Sequence, residues 1–442
     1  MRDKVASGVA WSIAEKVGSM LLQMGVSIVI LRLLTPEQMG IMAIPVVFSS
    51  LALVMVDSGF SQTLIRKAVP SEEDYKSVFV FNIAVSVLLY LLLVGAMPWI
   101  ARFYGMPELV RIAPVLFLLV PLNALCVIQN TIFTRQFRFA RLSKVVFTSS
   151  LVAIGMAWAG CGIWSLVGQR VVAMGVRAML LWGLSDWRPR AAFDAGRLRA
   201  MAPYSFRLLA TDLISSVYNN VSQLFVGKLY AADVLGFFNQ AQKLKELPVT
   251  STMQAVQSVT FPALSKIADD ERKFAESYRQ VVMIVAFVML PMMAGLIVVA
   301  PEMVDSLLGE KWMPMVPYFQ VISLAGMFAP IATVSNNVLK VKSNGRIIVR
   351  LEVVKKVVMT LVLILTIPHS VLAVTWGLSA MAFFEMILNF GATTRYAGLT
   401  AGLFLRTLLP IASATAAMFG VVWAFGHFTS FAPLPTFLLK VG

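Results

Sequence analysis

Apolar runs of bilayer length, repeated along the whole chain, limit what this sequence can become more than any other feature. They cover residues 8–34, 39–60, 77–98, 110–131, 142–159, 163–184, 203–229, 234–264, 278–299, 316–341, 347–367, 371–396 and 403–425. A helix that crosses a membrane needs about 20 residues, because each adds ~1.5 Å across a ~30 Å hydrocarbon core. Lipid offers no partner to a bare peptide group, so only helices and closed barrels span it. A barrel is excluded, since its short strands alternate apolar and polar residues and give no continuous runs. The expected fold is an all-α, polytopic transmembrane helical bundle of about 13 transmembrane helices. Composition agrees: 59% of the 442 residues are hydrophobic and 13% charged, too little polar surface to enclose a soluble core of this size. The first run does not read as a cleavable signal. It is too long, is interrupted by Glu15 and Lys16, and lacks a small-residue cleavage site.

The formal net charge is +15. In a soluble protein that balance suggests nucleic acid. In a membrane chain the simpler reading is the cationic bias of cytoplasmic loops, with attraction for an anionic substrate or headgroup as the alternative. The cations test this. They collect in every second connection: Arg66, Lys67 and Lys76; Arg135, Arg138, Arg141 and Lys144; Arg188, Arg190, Arg197 and Arg199; Lys266, Arg272, Lys273 and Arg279; Lys340, Lys342, Arg346 and Arg350; then Arg395 and Arg406. The intervening connections hold only Arg32, Arg102, Arg111, Lys228 and Lys311. The rhythm places the N-terminus in the cytoplasm, and nucleic acid is not an expected partner.

Some of the runs are not uniformly apolar. In the first, Ser12, Glu15, Lys16, Ser19, Gln23 and Ser27 recur every three or four residues and so share one face. The run at 203–229 carries Arg207, Thr211, Asp212, Ser215, Ser216, Asn219, Asn220, Ser222 and Gln223. The next carries Asn239, Gln242, Lys243, Glu246, Thr250, Gln254 and Gln257. Charges at membrane depth are costly and face a bundle interior or a water-filled cavity. Hydrogen bonds between helices account for isolated Ser and Thr. Rows of Asn, Gln, Lys and Asp fit the lining of a wet cavity better.

Two of these polar segments look like copies of one unit. Arg32 to Gly40 (RLLTPEQMG) aligns without gaps on Lys228 to Gly236 (KLYAADVLG). Each has a cation at the end of a polar-striped helix, an acid five residues on and a glycine three after that. Six helices separate the two starts, so the halves run in the same direction. Parallel repeats with a substrate site between them are one plan for a transporter. The expected organisation is a six-helix lobe over 1–190, a second over 191–400, and an additional helix with a short tail over 401–442, the two lobes flanking a central cavity.

No residue pattern here points to catalysis. The two histidines, His369 and His427, lie near no carboxylate or cysteine cluster, and Cys126 and Cys161 both sit in apolar runs. Neither a metal site nor a nucleophile–base pair is expected.

The segments 6–12 (ASGVAWS), 31–40 (LRLLTPEQMG), 57–62 (DSGFSQ), 64–66 (LIR), 133–139 (FTRQFRF), 160–167 (GCGIWSLV) and 235–241 (LGFFNQA) resemble bacterial polysaccharide flippases. These are the Wzx-type O-antigen and colanic-acid-type exporters of the multidrug/oligosaccharidyl-lipid/polysaccharide superfamily. The resemblance runs through essentially the whole chain. It implies two six-helix lobes around a V-shaped cavity that opens alternately to either side. The implied cargo is an undecaprenyl-pyrophosphate-linked oligosaccharide, moved across the bacterial inner membrane. Membrane lipids, a polysaccharide polymerase and a chain-length regulator are the other implied partners. No cofactor is expected beyond a coupling proton or sodium ion. Family members often carry twelve to fourteen helices, so thirteen leaves the C-terminal topology as the point of departure.

Such a cargo needs cations for its diphosphate and amides or hydroxyls for its sugars. Lys16, Arg207 and Lys243 are the candidates for the first role, and Asn219, Asn220, Gln223, Asn239 and Gln242 for the second. Glu15, Asp212 and Glu385 either pair those cations or carry the coupling ion. Arg32, Gly40, Lys228 and Gly236 fall at the two matched corners and are candidates for gating, with snorkelling the plainer role of the two cations. Arg170, Arg177, Lys355 and Lys356 face the cavity or snorkel to the surface. A multidrug antiporter should show more acids and aromatics in its stripes. A lipid II flippase differs only by resemblance. A membrane-embedded polysaccharide polymerase or ligase needs a sizeable external loop, and the longest expected here is about residues 300–317.

Overall fold

A computed structural model of the chain describes residues 28–57, 59–67, 69–135, 162–343, 346–397 and 400–428, with the single positions 25 and 148 besides. Most of the expected helix 8–34, with Glu15 and Lys16, lies outside the described residues. So does nearly all of the expected helix 142–159.

The described residues are helical, with no strand among them, and fall into two compact units that divide after Gly236. The first holds α1 (Pro36–Asp57), α2 (Phe60–Arg66), α3 (Glu72–Tyr104), α4 (Leu109–Phe117), α5 (Leu119–Arg135), α6 (Ile163–Leu184) and α7 (Ala195–Leu229). The first turn of α8 (Ala232–Lys266) belongs to it as well. The second holds the rest of α8, then α9 (Glu271–Leu308), a 3-10 turn (Glu310–Met315), α10 (Val316–Lys342), α11 (Arg346–Thr366), α12 (Val371–Ala397) and α13 (Ala401–Phe428).

Helices outrun their apolar runs where polar caps extend them. Ser71 and Asp74 close a capping box that starts α3 five residues before the expected position 77. Asp194 caps α7 by accepting from the amides of Gly196 and Arg197. The expected helix 110–131 is in fact two, α4 and α5, parted at Leu118. Pro121 has no N–H to offer the Phe117 carbonyl, so the ladder lapses there. Seven helical stretches among the described residues are long and apolar enough to cross a membrane. This makes the chain a multi-pass membrane protein. Helices α6, α7, α8 and α11 have the length but carry more charge and amide.

Within the first unit, α1 and α7 run antiparallel. Ile44 meets Gly227 near one end, and Gly59 meets the Ser205 carbonyl near the other. Gly59 has a φ of 69°, and a Cβ there would stand 2.6 Å from that carbonyl oxygen, so both conformation and space require glycine. Three basic connections gather at this second end. The Arg135 guanidinium donates to the carbonyls of Leu64 and Lys67, each at 2.6 Å, and so closes α2. The buried Asp74 accepts from Lys67 Nζ at 2.5 Å and from Arg197 at 3.4 Å. Asp194 N donates to Ser77 Oγ at 2.8 Å. Phe60, Leu64, Val78, Ile128, Trp187 and Met201 form the core behind them.

In the second unit α10 packs along both α9 and α12. Ser379 donates to the Val321 carbonyl at 2.7 Å, and Asn389 Nδ2 to that of Ala332 at 3.1 Å. The buried Tyr278 hydroxyl joins Ser335 at 2.7 Å and Thr393 at 3.3 Å. Small and hydroxyl residues at these contacts supply the close packing and polar links that hold helices together in lipid.

Candidate functional site

Helix α7 shows two exposed faces of opposite chemistry. Phe206, Ile214 and Val217 are exposed on one side, as a lipid-facing surface requires. About half a turn of the wheel away, Asp212, Ser215 and Asn219 are exposed as well. The polar side is buried only toward the ends, where Ser205 and Ser222 pack at 0% and 3% exposure. Apolar and polar side chains cannot both favour lipid, so the middle of this helix presents its polar side to a wetter surrounding. Two of its polar groups bond their own backbone: Asn220 Nδ2 to the Ser216 carbonyl at 2.8 Å, and Thr211 Oγ1 to that of Arg207 at 3.0 Å. Arg207 is exposed, and Asn220 and Gln223 are half-buried.

Asp212 has an acidic neighbour that the sequence did not single out. Asp57, at the end of α1, accepts a hydrogen bond from Ser61 Oγ and lies within electrostatic reach of Asp212. Each carboxylate therefore feels the negative charge of the other. The signal in the sequence was an acid closing an apolar run.

The two matched corners touch. A Cβ built on Gly40 would overlap the Ala232 carbonyl oxygen, and one on Gly236 would overlap the Pro36 carbonyl oxygen. The same hypothetical atoms lie 3.0 Å from Gly236 N and 3.1 Å from Gly40 N, respectively. The contact is reciprocal, helix start against helix start, and glycine at both positions is what allows it. Nearby, Lys228 Nζ donates to the Phe103 carbonyl and stands 4.2 Å over the Phe103 ring, at the C-terminal end of α3. Arg32 is exposed.

Asn239, Gln242, Lys243, Lys355, Lys356 and Glu385 belong to the second unit. On α8, Asn239 is buried, and Gln242 and Lys243 are half-buried. Glu385, half-buried in the middle of α12, has Lys355, Glu352 and Lys356 as its charged neighbours. Lys355 is 5% exposed and pairs with Glu352 Oε1 at 2.8 Å. Its ammonium is thus buried and paired within α11, with Glu385 of α12 as a further charged neighbour that the sequence did not place beside it.

The family described as "Polysaccharide biosynthesis protein" matches residues 29–317. The chain belongs to this family. The chain is similar to the teichuronic acid biosynthesis protein TuaB of Bacillus subtilis (strain 168). It is 25% identical over 303 residues, which cover 66% of this chain and 62% of TuaB. The chain thus spans less than two thirds of that relative's length. The succinoglycan biosynthesis transport protein ExoT of Rhizobium meliloti (strain 1021) is 24% identical over 335 residues, 74% of this chain and 68% of ExoT. The lipopolysaccharide biosynthesis protein WzxC of Escherichia coli (strain K12) is 22% identical over 369 residues, 80% and 73%. Among solved structures, the lipid II flippase MurJ in an inward closed conformation shares the fold at a TM-score of 0.77. Its 13% identity extends over 98% of this chain and 96% of its own. An inward-facing multidrug resistance MATE family transporter of the MOP superfamily follows at 0.64, with 15% identity over 90% and 96%. At such identities the likeness is one of fold.

Proposed function

We propose that this chain is a flippase of the bacterial inner membrane, a transporter and not an enzyme. It moves undecaprenyl-pyrophosphate-linked oligosaccharide repeat units from the cytoplasmic to the outer leaflet by alternating access, for the biosynthesis of a surface polysaccharide. The observation that carries this reading is the exposed polar side of α7, placed mid-helix in a chain of the polysaccharide biosynthesis family. The names of ExoT and WzxC, which couple transport or lipopolysaccharide to biosynthesis, support it.

A lipid-linked sugar keeps its tail in lipid while its headgroup crosses, so the headgroup needs a wet, laterally open path. In this reading Arg207, Lys243 and Lys16 bind the diphosphate, and Asn219, Asn220, Gln223, Asn239 and Gln242 bind sugar hydroxyls. Asp212 with Asp57, and Glu385 with Lys355, are the pairs at which a coupling proton or sodium ion exchanges; Glu15 is the third candidate. The end that gathers Arg66, Arg135 and Arg188 faces the cytoplasm together with the N-terminus. The Gly40–Gly236 corner, flanked by Arg32 and Lys228, closes the outer side. A polysaccharide polymerase and a chain-length regulator act on the product. Lipid II is the second reading of the cargo, prompted by the MurJ-like fold.

The test is complementation of a host that lacks its own copy. The wild-type chain restores surface polysaccharide, and Lys16→Ala, Arg207→Ala and Lys243→Ala each fail to do so while reaching the membrane in normal amount. Normal polysaccharide from all three variants contradicts the cationic path. Restored cell-wall synthesis in a strain without its lipid II flippase selects the second cargo.

A further inference from the structure

A cleft of about 730 Å³ opens among helix ends of the first unit and uses none of the candidate transport residues. Glu72 and Tyr75 line it from the start of α3, Phe133 from the end of α5, and Asp186, Trp187, Arg188 and Arg190 from the segment after α6. Its size falls within the ~300–1,000 Å³ typical of small-molecule sites. Its depth is set by the helices that build it. Two candidate spans, Glu72–Tyr104 and Leu109–Arg135, begin or end here, which is the level of lipid headgroups, where Trp and Tyr concentrate.

The wall is aromatic. Trp187 meets Tyr75 at 6.3 Å and Phe79 at 5.7 Å between ring centres, both edge-on. Arg188 is held in place, donating to the carbonyls of Ser185 at 2.6 Å and Trp187 at 2.9 Å, with its guanidinium 5.8 Å over the Trp182 ring. Those acceptors are neutral, so its charge is not compensated by them. Glu72 and Arg190 are exposed at the same cleft, and among the described residues neither side chain is in an ion pair. The cleft therefore presents both signs of charge at once. A purely anionic ligand would meet Glu72 and Asp186, and a purely cationic one would meet the two arginines.

We propose that this cleft binds the zwitterionic headgroup of a phospholipid of the phosphatidylethanolamine type. Arg188 and Arg190 take the phosphate through charge-assisted hydrogen bonds. Glu72 and Asp186 accept from the ammonium, which lies against the Tyr75 and Trp187 rings. A quaternary choline headgroup has no N–H to offer the carboxylates and fits less well.

Native mass spectrometry of the purified full chain, offered equal phosphatidylethanolamine, phosphatidylglycerol and phosphatidylcholine, tests this. Phosphatidylethanolamine is retained about fivefold over each of the others, the ratio expected when roughly one charge pairing is lost. Glu72→Gln removes the preference over phosphatidylglycerol, and Arg190→Gln lowers retention of both. Excess inorganic phosphate does not displace the lipid. Equal retention of phosphatidylglycerol by the wild type, an unchanged preference in Glu72→Gln, or displacement by phosphate overturns the proposal. Should either variant fail to fold, Tyr75→Leu carries the same expectation for the ammonium and is judged by the same ratio.

Discussion

Asp74 shows how much one side chain can organise at a membrane boundary. It caps α3 through the Ser71 amide at 2.8 Å, takes Lys67 at 2.5 Å and reaches Arg197 at 3.4 Å. Two connections, the α2–α3 turn through Lys67 and Ser71 and the start of α7 through Arg197, thus converge on one buried carboxylate. A charge buried this deeply persists only because each oxygen is met by donors. Asp74→Ala removes the cap and both ionic hydrogen bonds together, and is expected to cost about 2–3 kcal/mol. Asp74→Asn keeps an acceptor for the cap and loses about 1 kcal/mol. Thermal unfolding of the purified protein in detergent ranks the two, and equal midpoints would contradict this role. The exposed cations differ from Asp74 in kind: Arg66, over the Tyr204 ring at 4.8 Å, has an exposed partner and contributes far less.

At the scale of the element, α7 is the informative one. Cysteines placed at Ser215 and Asn219 should react readily with a charged, water-soluble maleimide in intact membranes, and cysteines at Phe206 and Val217 should not. Equal labelling of both sets would remove the two-faced helix and with it the wet path. The helix and its polar side were legible in the sequence, because amide and acidic residues at three- and four-residue spacing within an apolar run mark one wet face of a helix. The span at 163–184 was legible to the residue, since Gly162 and Ser185 bound it sharply. The rest was hidden for identifiable reasons. Hydropathy cannot see that the residues from Glu72 to Lys76 are helical, because their polarity reads as loop. Nor can it see a break at Leu118, which depends on a proline three residues on. For Lys355 the sequence leaves the cavity and the surface both open; its i,i+3 partner Glu352 is legible in the chain, whereas Glu385, on another helix, has no one-dimensional trace. The matched turns at Thr35–Gly40 and Ala231–Gly236 were visible as a repeat, whereas their reciprocal contact needed coordinates.

For the whole molecule, a multi-pass helical protein of the polysaccharide biosynthesis family has to reconcile an apolar exterior with a path for a charged, sugared headgroup. Among the described residues seven strongly apolar stretches meet the first demand, and in the proposed reading the more polar helices α7 and α8, which hydropathy alone ranks lower, serve the second. Basic connections collected at one end of the first unit, and the tight glycine corner at Gly40 and Gly236 with Lys228 nearby, give that unit a direction. The central claim is transport of a lipid-linked oligosaccharide. Its most direct test is reconstitution of the purified chain in liposomes that carry an undecaprenyl-diphosphate-linked oligosaccharide in the inner leaflet, with an enzyme outside that modifies whatever sugar emerges. The wild-type protein is expected to expose the inner pool, and Arg207→Ala and Lys243→Ala are each expected to slow that exposure at least tenfold, the loss of one charge-assisted phosphate contact. Exposure no faster than in protein-free liposomes, or undiminished in both variants, would contradict the account.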